Sequence, residues 1–222
     1  MLFADRYEAG RFLASRLADL RNREDVVVLA LPRGGVPVGY EVAKELHAPL
    51  DIFVVRKLGV PGHEELAMGA LASGGITLLN RDVDGGLGIP KQMIDATISR
   101  EQRELERRER EYRDGRPPLN IENRTAILVD DGLATGSSMR VAAAALRKKN
   151  PAQIIVAVPV ASASTCSDFE TEVDRVVCAA TPEPFWAVGQ WYRDFSQTTD
   201  EEVRELLRRA RDASQTRDQL SA

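Results

Sequence analysis

Histidine and cysteine are scarce in this chain: the 222 residues contain two of each. Cys166 and Cys178 lack metal-ligand or redox spacing, so both read as free, mostly buried thiols, with a reducing cytoplasm as the default setting. Aromatic side chains make up only 5% of the chain. No apolar run is long enough to span a membrane, and residues 1–6 carry too few apolar side chains for a signal peptide. Neither sign of charge dominates. Lys and Arg number 30 against 34 Asp and Glu, a net charge of −4 that gives no support for a broad basic nucleic-acid surface. No internal repeat or low-complexity segment is evident. What remains, 43% hydrophobic and 29% charged, is the composition of a globular protein long enough to bury one sizeable core.

The most informative stretch is AILVDDGLATGSSM, residues 126–139. Its apolar start suits a buried parallel strand, which ends on two adjacent carboxylates, Asp130 and Asp131. Small residues follow (Gly132, Ala134, Thr135, Gly136, Ser137 and Ser138), then an Ala-rich helix from about Met139 to Lys149. A strand, a small-residue turn and a helix start form an anion site, because the turn's N–H groups converge where the helix end is positive. The neighbouring carboxylates can take a diol, so the combination points to a sugar phosphate. A P-loop is excluded, since no Lys follows Gly136 in the Walker arrangement.

Around this stretch, strands and helices alternate. Residues 5–20 read as an amphipathic helix with an Asp5/Glu8 capping box. Residues 26–31 form an apolar strand followed by Pro32, Arg33, Gly34 and Gly35, where paired glycines allow close backbone approach and Arg33 offers a fork for phosphate. A helix follows from about Val38 to Leu46, with His47 at its end as a capping or surface residue. Residues 50–55 are the next strand, delivering Arg56 and Lys57 at its end, and two adjacent cations there ask for an anion. Residues 59–65 read as a polar, flexible loop, and residues 66–72 and 76–80 as a β-hairpin around Ser73, Gly74 and Gly75. Residues 90–112 form a long charged helix with a thin seam of Ile94, Ile98, Leu105 and Tyr112 and supporting Glu104–Arg108 and Glu109–Arg113 pairs. Strands at 153–160 and 174–180 flank a short helix capped by Ser162 or Ser164. The alternation predicts an α/β fold with a doubly wound parallel sheet, whose ligands bind beyond the strands' carboxyl ends at a switch point.

Together, the stretch at 126–139 and LPRGGVPVG at 31–39 resemble the phosphoribosyl diphosphate (PRPP) signature and pyrophosphate loop of type I phosphoribosyltransferases. The resemblance covers about residues 26–160, and the first motif is nearest the adenine and xanthine-guanine types. It implies that Asp130 and Asp131 hold the ribose hydroxyls, that Ala134, Thr135, Gly136, Ser137 and Ser138 hold the 5′-phosphate, and that Arg33, Gly34, Gly35, Arg56 and Lys57 approach the pyrophosphate. It also implies a cis Pro32–Arg33 peptide and a mobile β-hairpin lid carrying His63, Glu64 and Glu65, with Glu64 a candidate acid or base. Magnesium would arrive on PRPP and reach Asp130 and Asp131 through water, with no dedicated protein cage.

The resemblance further implies a single domain over residues 1–222: a core at about 22–181, an inserted helix at about 90–113, a hood at about 182–198 and a C-terminal helix at about 200–211 with a frayed polar end. The hood concentrates Phe185, Trp186, Trp191 and Tyr192, the candidates for stacking on a purine or pyrimidine base; the same aromatics could equally form a satellite core. The function implied is a cytoplasmic, homodimeric enzyme of nucleotide salvage that transfers the phosphoribosyl group of PRPP to a nitrogenous base. The alternative is a non-catalytic PRPP-binding regulator. Departures leave the acceptor open. Ala134 stands where 6-oxopurine enzymes carry an acid, and no lysine occurs between Lys57 and Lys91, where orotate enzymes place theirs.

Overall fold

A computed structural model describes residues 2–61, 63–80 and 90–221; the side chains of residues 64, 65 and 217–221 are not part of that description. Strands β1 (Val26–Ala30), β2 (Leu50–Ile52), β6 (Thr125–Val129), β7 (Gln153–Val160) and β8 (Arg175–Ala180) form a five-stranded sheet in the order β2-β1-β6-β7-β8. Every pairing in it is parallel. A second, antiparallel sheet holds β3 (Val55–Val60), β4 (His63–Ala72) and β5 (Ile76–Leu79) in sequence order. The helices are α1 (Arg6–Ser15), α2 (Gly35–Leu46), α3 (Lys91–Tyr112), α4 (Ser137–Arg147), α5 (Ala163–Phe169) and α6 (Asp200–Ser221).

The central strands read as unbroken apolar runs because helices cover both faces of the sheet. Val27, Leu29, Ala126, Leu128, Ile154 and Val156 point to α4 and α5, meeting Met139, Ala142, Leu146 and Phe169. The alternate residues Val26, Val28, Ile127, Val129 and Ile155 face α1 and α2, meeting Leu13, Leu17, Val38 and Val42. Each large apolar side chain buried this way contributes roughly 2 kcal/mol by transfer from water. A third cluster joins the antiparallel sheet to α3 and α6 through Leu58, Met68, Leu71, Ile94, Leu105, Tyr112, Val203 and Leu206.

The fold is the doubly wound α/β architecture that the sequence predicts. β1 leads through α2 outward to β2, while β6 leads through α4 outward to β7 on the other side, so the switch point lies between β1 and β6. Several local expectations need correction. The apolar run at 50–55 is not one strand: β2 stops at Ile52, and Arg56 and Lys57 lie within β3 of the second sheet. Residues 59–65, expected as a loop, belong largely to β3 and β4, which pair as far as Val60 opposite His63. α2 and α4 start earlier than expected, at Gly35 and Ser137, because both glycine turns already serve as helix N-caps. The polar C-terminal end is helical to Ser221.

The cysteines also require correction. Cys166 and Cys178 form a disulfide, with Cα atoms 6.4 Å apart. The pairing is invisible in the spacing because α5 folds back along β8 and brings the two positions together. No cysteine is free among the described residues, so the thiol argument for a reducing compartment falls away. No described helix is long and apolar enough to cross a membrane.

Candidate functional site

The loops following β1 and β6 meet at the switch point. Pro32–Arg33 is a cis peptide, as the resemblance implied, and the turn after it presses onto the acidic pair. A Cβ on Gly34 would collide with the Asp131 carboxylate. One on Gly35 would lie 2.7 Å from the Val129 carbonyl and 2.9 Å from the Asp130 Cα. Only glycine permits this approach.

The two acids face different surroundings. Asp130 lines a cavity of about 430 Å³ together with Lys57, Gly132, Leu133, Ala134, Thr135, Gly136, Ser137, Ser138 and Met139. Its Oδ1 accepts the Asp131 amide at 2.8 Å. Burial, reinforced by the neighbouring Asp131 charge, pushes the Asp130 carboxyl well above the ordinary carboxylate range. Asp131 turns the other way and accepts the Arg6 Nε at Oδ2, 2.8 Å away. Burial raises its carboxyl too, against the opposing pull of Arg6. The Asp131 carbonyl accepts the Tyr192 hydroxyl at 2.5 Å, and burial raises that phenol as well.

The loop behind Asp130 is open to a ligand. Leu133 donates its amide to the Val160 carbonyl, but the amides of Ala134, Thr135 and Gly136 have no acceptor among the described residues. Gly136 has φ +72°, a left-handed conformation that turns the chain into α4, and a Cβ on it would sit 2.6 Å from the Phe169 ring. The loop is supported from below. Thr165 Oγ1 donates to the Ala134 carbonyl at 3.1 Å, Arg140 Nη1 donates to the Thr135 carbonyl at 2.7 Å, and the Arg140 guanidinium lies 4.8 Å over the Phe169 ring. Sequence reasoning missed Arg6, Arg140, Thr165 and Phe169, because nothing in their local pattern signals contact with a loop 30 or more positions away in the case of Thr165, and 125 in that of Arg6.

Among the expected basic residues, Lys57 alone lines the Asp130 cavity. Arg56 projects to the other face of β3, where its Nε reaches Glu101 at 3.0 Å and its Nη1 reaches Glu104 at 3.9 Å. The anion expected between these two cations is thus met, for Arg56, by carboxylates of α3. The Arg33 side chain likewise leaves the Asp130 cavity. It lines a neighbouring cleft with Arg107, Arg108, Glu111, Tyr112 and Asp200, 3.9 Å from the Asp200 carboxylate. Tyr112 donates to that same carboxylate, and burial together with this bond pushes its phenol up to about 12. The amides of Arg33 and Gly34 have no acceptor among the described residues. Glu64 stands on β4, and its side chain lies outside the described residues.

The aromatic tail divides in the same way. Tyr192 is buried with Phe3 and packs 5.0 Å from Phe195, so it anchors the tail. Phe185 and Trp191 stack at 6.4 Å with 14° between their planes, and Trp186 is 77% exposed. Val188 between them closes over Gly132, where a Cβ would lie 2.6 Å from its methyl group, so the hood adjoins the acid–loop cavity. Among the described residues, no group of three or more His, Cys, Asp or Glu could cage a metal. Asp130 does fit a magnesium ion delivered on a diphosphate, which needs only one or two carboxylates besides phosphate oxygens and water.

Comparison with known proteins gives a family and a fold. The phosphoribosyl transferase domain model matches residues 4–194. Two Mycobacterium tuberculosis proteins, from strains CDC 1551 / Oshkosh and H37Rv, each carry the name "Putative phosphoribosyl transferase" and are 48% identical over 209 residues. The match takes in 94% of this chain and 47% of each relative, so the chain spans about half the length of the curated relatives it matches. The crystal structure of TT1426 from Thermus thermophilus aligns with a TM-score of 0.80 at 40% identity, over 93% of this chain and 98% of that one.

Proposed function

The chain belongs to the type I phosphoribosyltransferase family, and from that premise we propose that it transfers the 5-phosphoribosyl group of PRPP to a ring nitrogen of a nitrogenous base, releasing pyrophosphate. The observation that carries this reading is the convergence of Asp130, Lys57 and the unpaired loop amides on one cavity. The amides of Ala134, Thr135 and Gly136 and the start of α4 take the 5′-phosphate. Asp130 accepts from the ribose hydroxyls. Lys57 and the free amides of Arg33 and Gly34 take the pyrophosphate. Asp131 is a positioning residue, because its amide fixes the Asp130 carboxylate while its own side chain is held by Arg6. Magnesium bound on the diphosphate supplies charge neutralisation for the departing group.

Departure of pyrophosphate leaves positive charge at the ribose C1, as in glycoside cleavage. The chain's contribution is therefore alignment of the base nitrogen, a fixed ribose and exclusion of water. The hood offers aromatic surface to a planar acceptor: Phe185 and Trp191 already stack in parallel, and Trp186 is an exposed ring. The test is to incubate the protein with PRPP, Mg²⁺ and a panel of purine and pyrimidine bases while following pyrophosphate. Release that depends on one base supports the proposal. Failure of PRPP to bind by calorimetry overturns it, and tight PRPP binding without release for any base favours the regulator instead.

A further inference from the structure

A second cavity lies away from the reaction just described. Pro49 and Leu50 in its wall sit where β2 begins, whereas the substrate loops follow the far ends of the parallel strands β1 and β6. The cavity holds about 490 Å³ of space, counted with the solvent at its mouth. Leu50, Leu119, Leu207 and Ala210 give it an apolar lining, and Arg113, Arg116 and Arg211 give it positive charge.

The only acid in that lining is Asp51, and its oxygens are fully engaged. Oδ1 accepts Arg113 Nε at 2.8 Å and the Ile52 amide at 2.8 Å, and Oδ2 accepts the Leu119 amide at 3.0 Å. Arg113 is balanced by Asp51 and Glu109, and Arg211 by Asp212 at 3.0 Å. Arg116 is different. Its Nε is buried without a hydrogen-bond partner, and among the described residues its guanidinium makes no ion pair. A buried N–H of a charged group left without an acceptor is costly, and an oxyanion seated beside Arg116 would satisfy it.

We infer that this cavity binds a small organic oxyanion: a phosphate or carboxylate head on Arg116, with Arg211 beside it, and a small apolar body against Leu50, Leu119, Leu207 and Ala210. The lining decides against inorganic phosphate alone, because a bare ion would leave the apolar wall uncovered. The inference stands independently of the transferase reading, since no lining residue is shared with the Asp130 cavity.

Calorimetric titration of the full chain tests it, with phenyl phosphate in one arm and benzoate in the other. Binding of either at millimolar concentration or below is expected, and the stronger arm identifies the head group. Arg116→Met should weaken it at least tenfold, roughly 1.4 kcal/mol. Ala210→Phe, which fills the cavity from α6, should do the same without touching a charge, and Lys57→Met should leave the affinity unchanged. Absence of binding in both arms, indifference to Arg116→Met and Ala210→Phe, or loss on Lys57→Met would each overturn the proposal.

Discussion

Arg6 Nε lies 2.8 Å from Asp131 Oδ2, across 125 positions of sequence. The same guanidinium donates to the Ser196 carbonyl at 2.7 Å and stands 4.0 Å over the Phe195 ring, so one side chain ties α1, the acidic pair and the tail together. The acids therefore divide their work. Asp130 lines the loop cavity, and Asp131, gripped by Arg6 through its carboxylate and by Tyr192 through its carbonyl, fixes the Asp130 carboxylate with its amide.

Arg6→Met should be strongly destabilising, because it strands a carboxylate whose side chain is only 15% exposed. A loss of about 3 kcal/mol is expected, read as a fall of roughly 10 °C in thermal midpoint. Adding Asp131→Asn should recover most of that loss. If the double variant melts no higher than Arg6→Met alone, the charge pairing is not what holds these elements.

Asp130→Asn should stabilise the ligand-free protein at neutral pH while abolishing PRPP binding. The sign follows from the direction of its shift. A carboxyl raised above its ordinary value takes up a proton on folding, so its favourable contribution is complete below the ordinary carboxylate range and is lost as pH rises through the raised value. The variant should melt a few degrees higher at pH 7, on the order of 1 kcal/mol, with a flatter pH dependence through the acidic range. Equal midpoints for variant and parent at every pH would contradict this.

Neighbouring residues on β3 should give opposite phenotypes. Arg56→Met removes the partner of Glu101 and Glu104 and should cost about 1–2 kcal/mol of stability with turnover little changed. Lys57→Met should leave the midpoint within about 0.5 kcal/mol and lower turnover at least a hundredfold, roughly 2.7 kcal/mol of transition-state stabilisation. Thermal melts and steady-state rates on the same preparations check both, and matching phenotypes would show that the face assignment is incorrect.

Reduction of Cys166–Cys178 should cost about 3 kcal/mol, given a sequence separation of 12. Melting with and without dithiothreitol measures it, with Cys166→Ser/Cys178→Ser as the control that no longer responds. A reducible parent whose midpoint does not move would remove the bridge from the account of stability.

The parts of this fold written in local pattern are legible in the sequence. Val26–Ala30, Thr125–Val129 and Gln153–Val160 are apolar throughout because both their faces are covered, and an unbroken apolar run can be read directly. Asp130 and its loop are legible because a tight turn from β6 into α4 needs small residues, and these stand together in the sequence. What escapes is settled by tertiary geometry. The apolar run through Phe53 and Val54 hides the change from one sheet to another, so the alternation that separates Arg56 from Lys57 is not visible. Arg33 shares a motif with Gly34 and Gly35, but its long side chain follows Asp200 rather than the loop. Tyr192 has the composition of a stacking ring, and only the placement of its hydroxyl on the Asp131 carbonyl shows it to be an anchor.

The two side chains that diverge on β3 also show how the hairpin sheet is held. Arg56 pairs with α3 while Lys57 lines the loop cavity, so moving the hairpin sheet as an independent flap would break the Arg56 ion pairs. The sheet is joined to α3 through Glu101, Glu104 and the shared seam of Ile94 and Leu105. The charged helix that looks like an ornament in the sequence is a backing for the strand that carries Lys57.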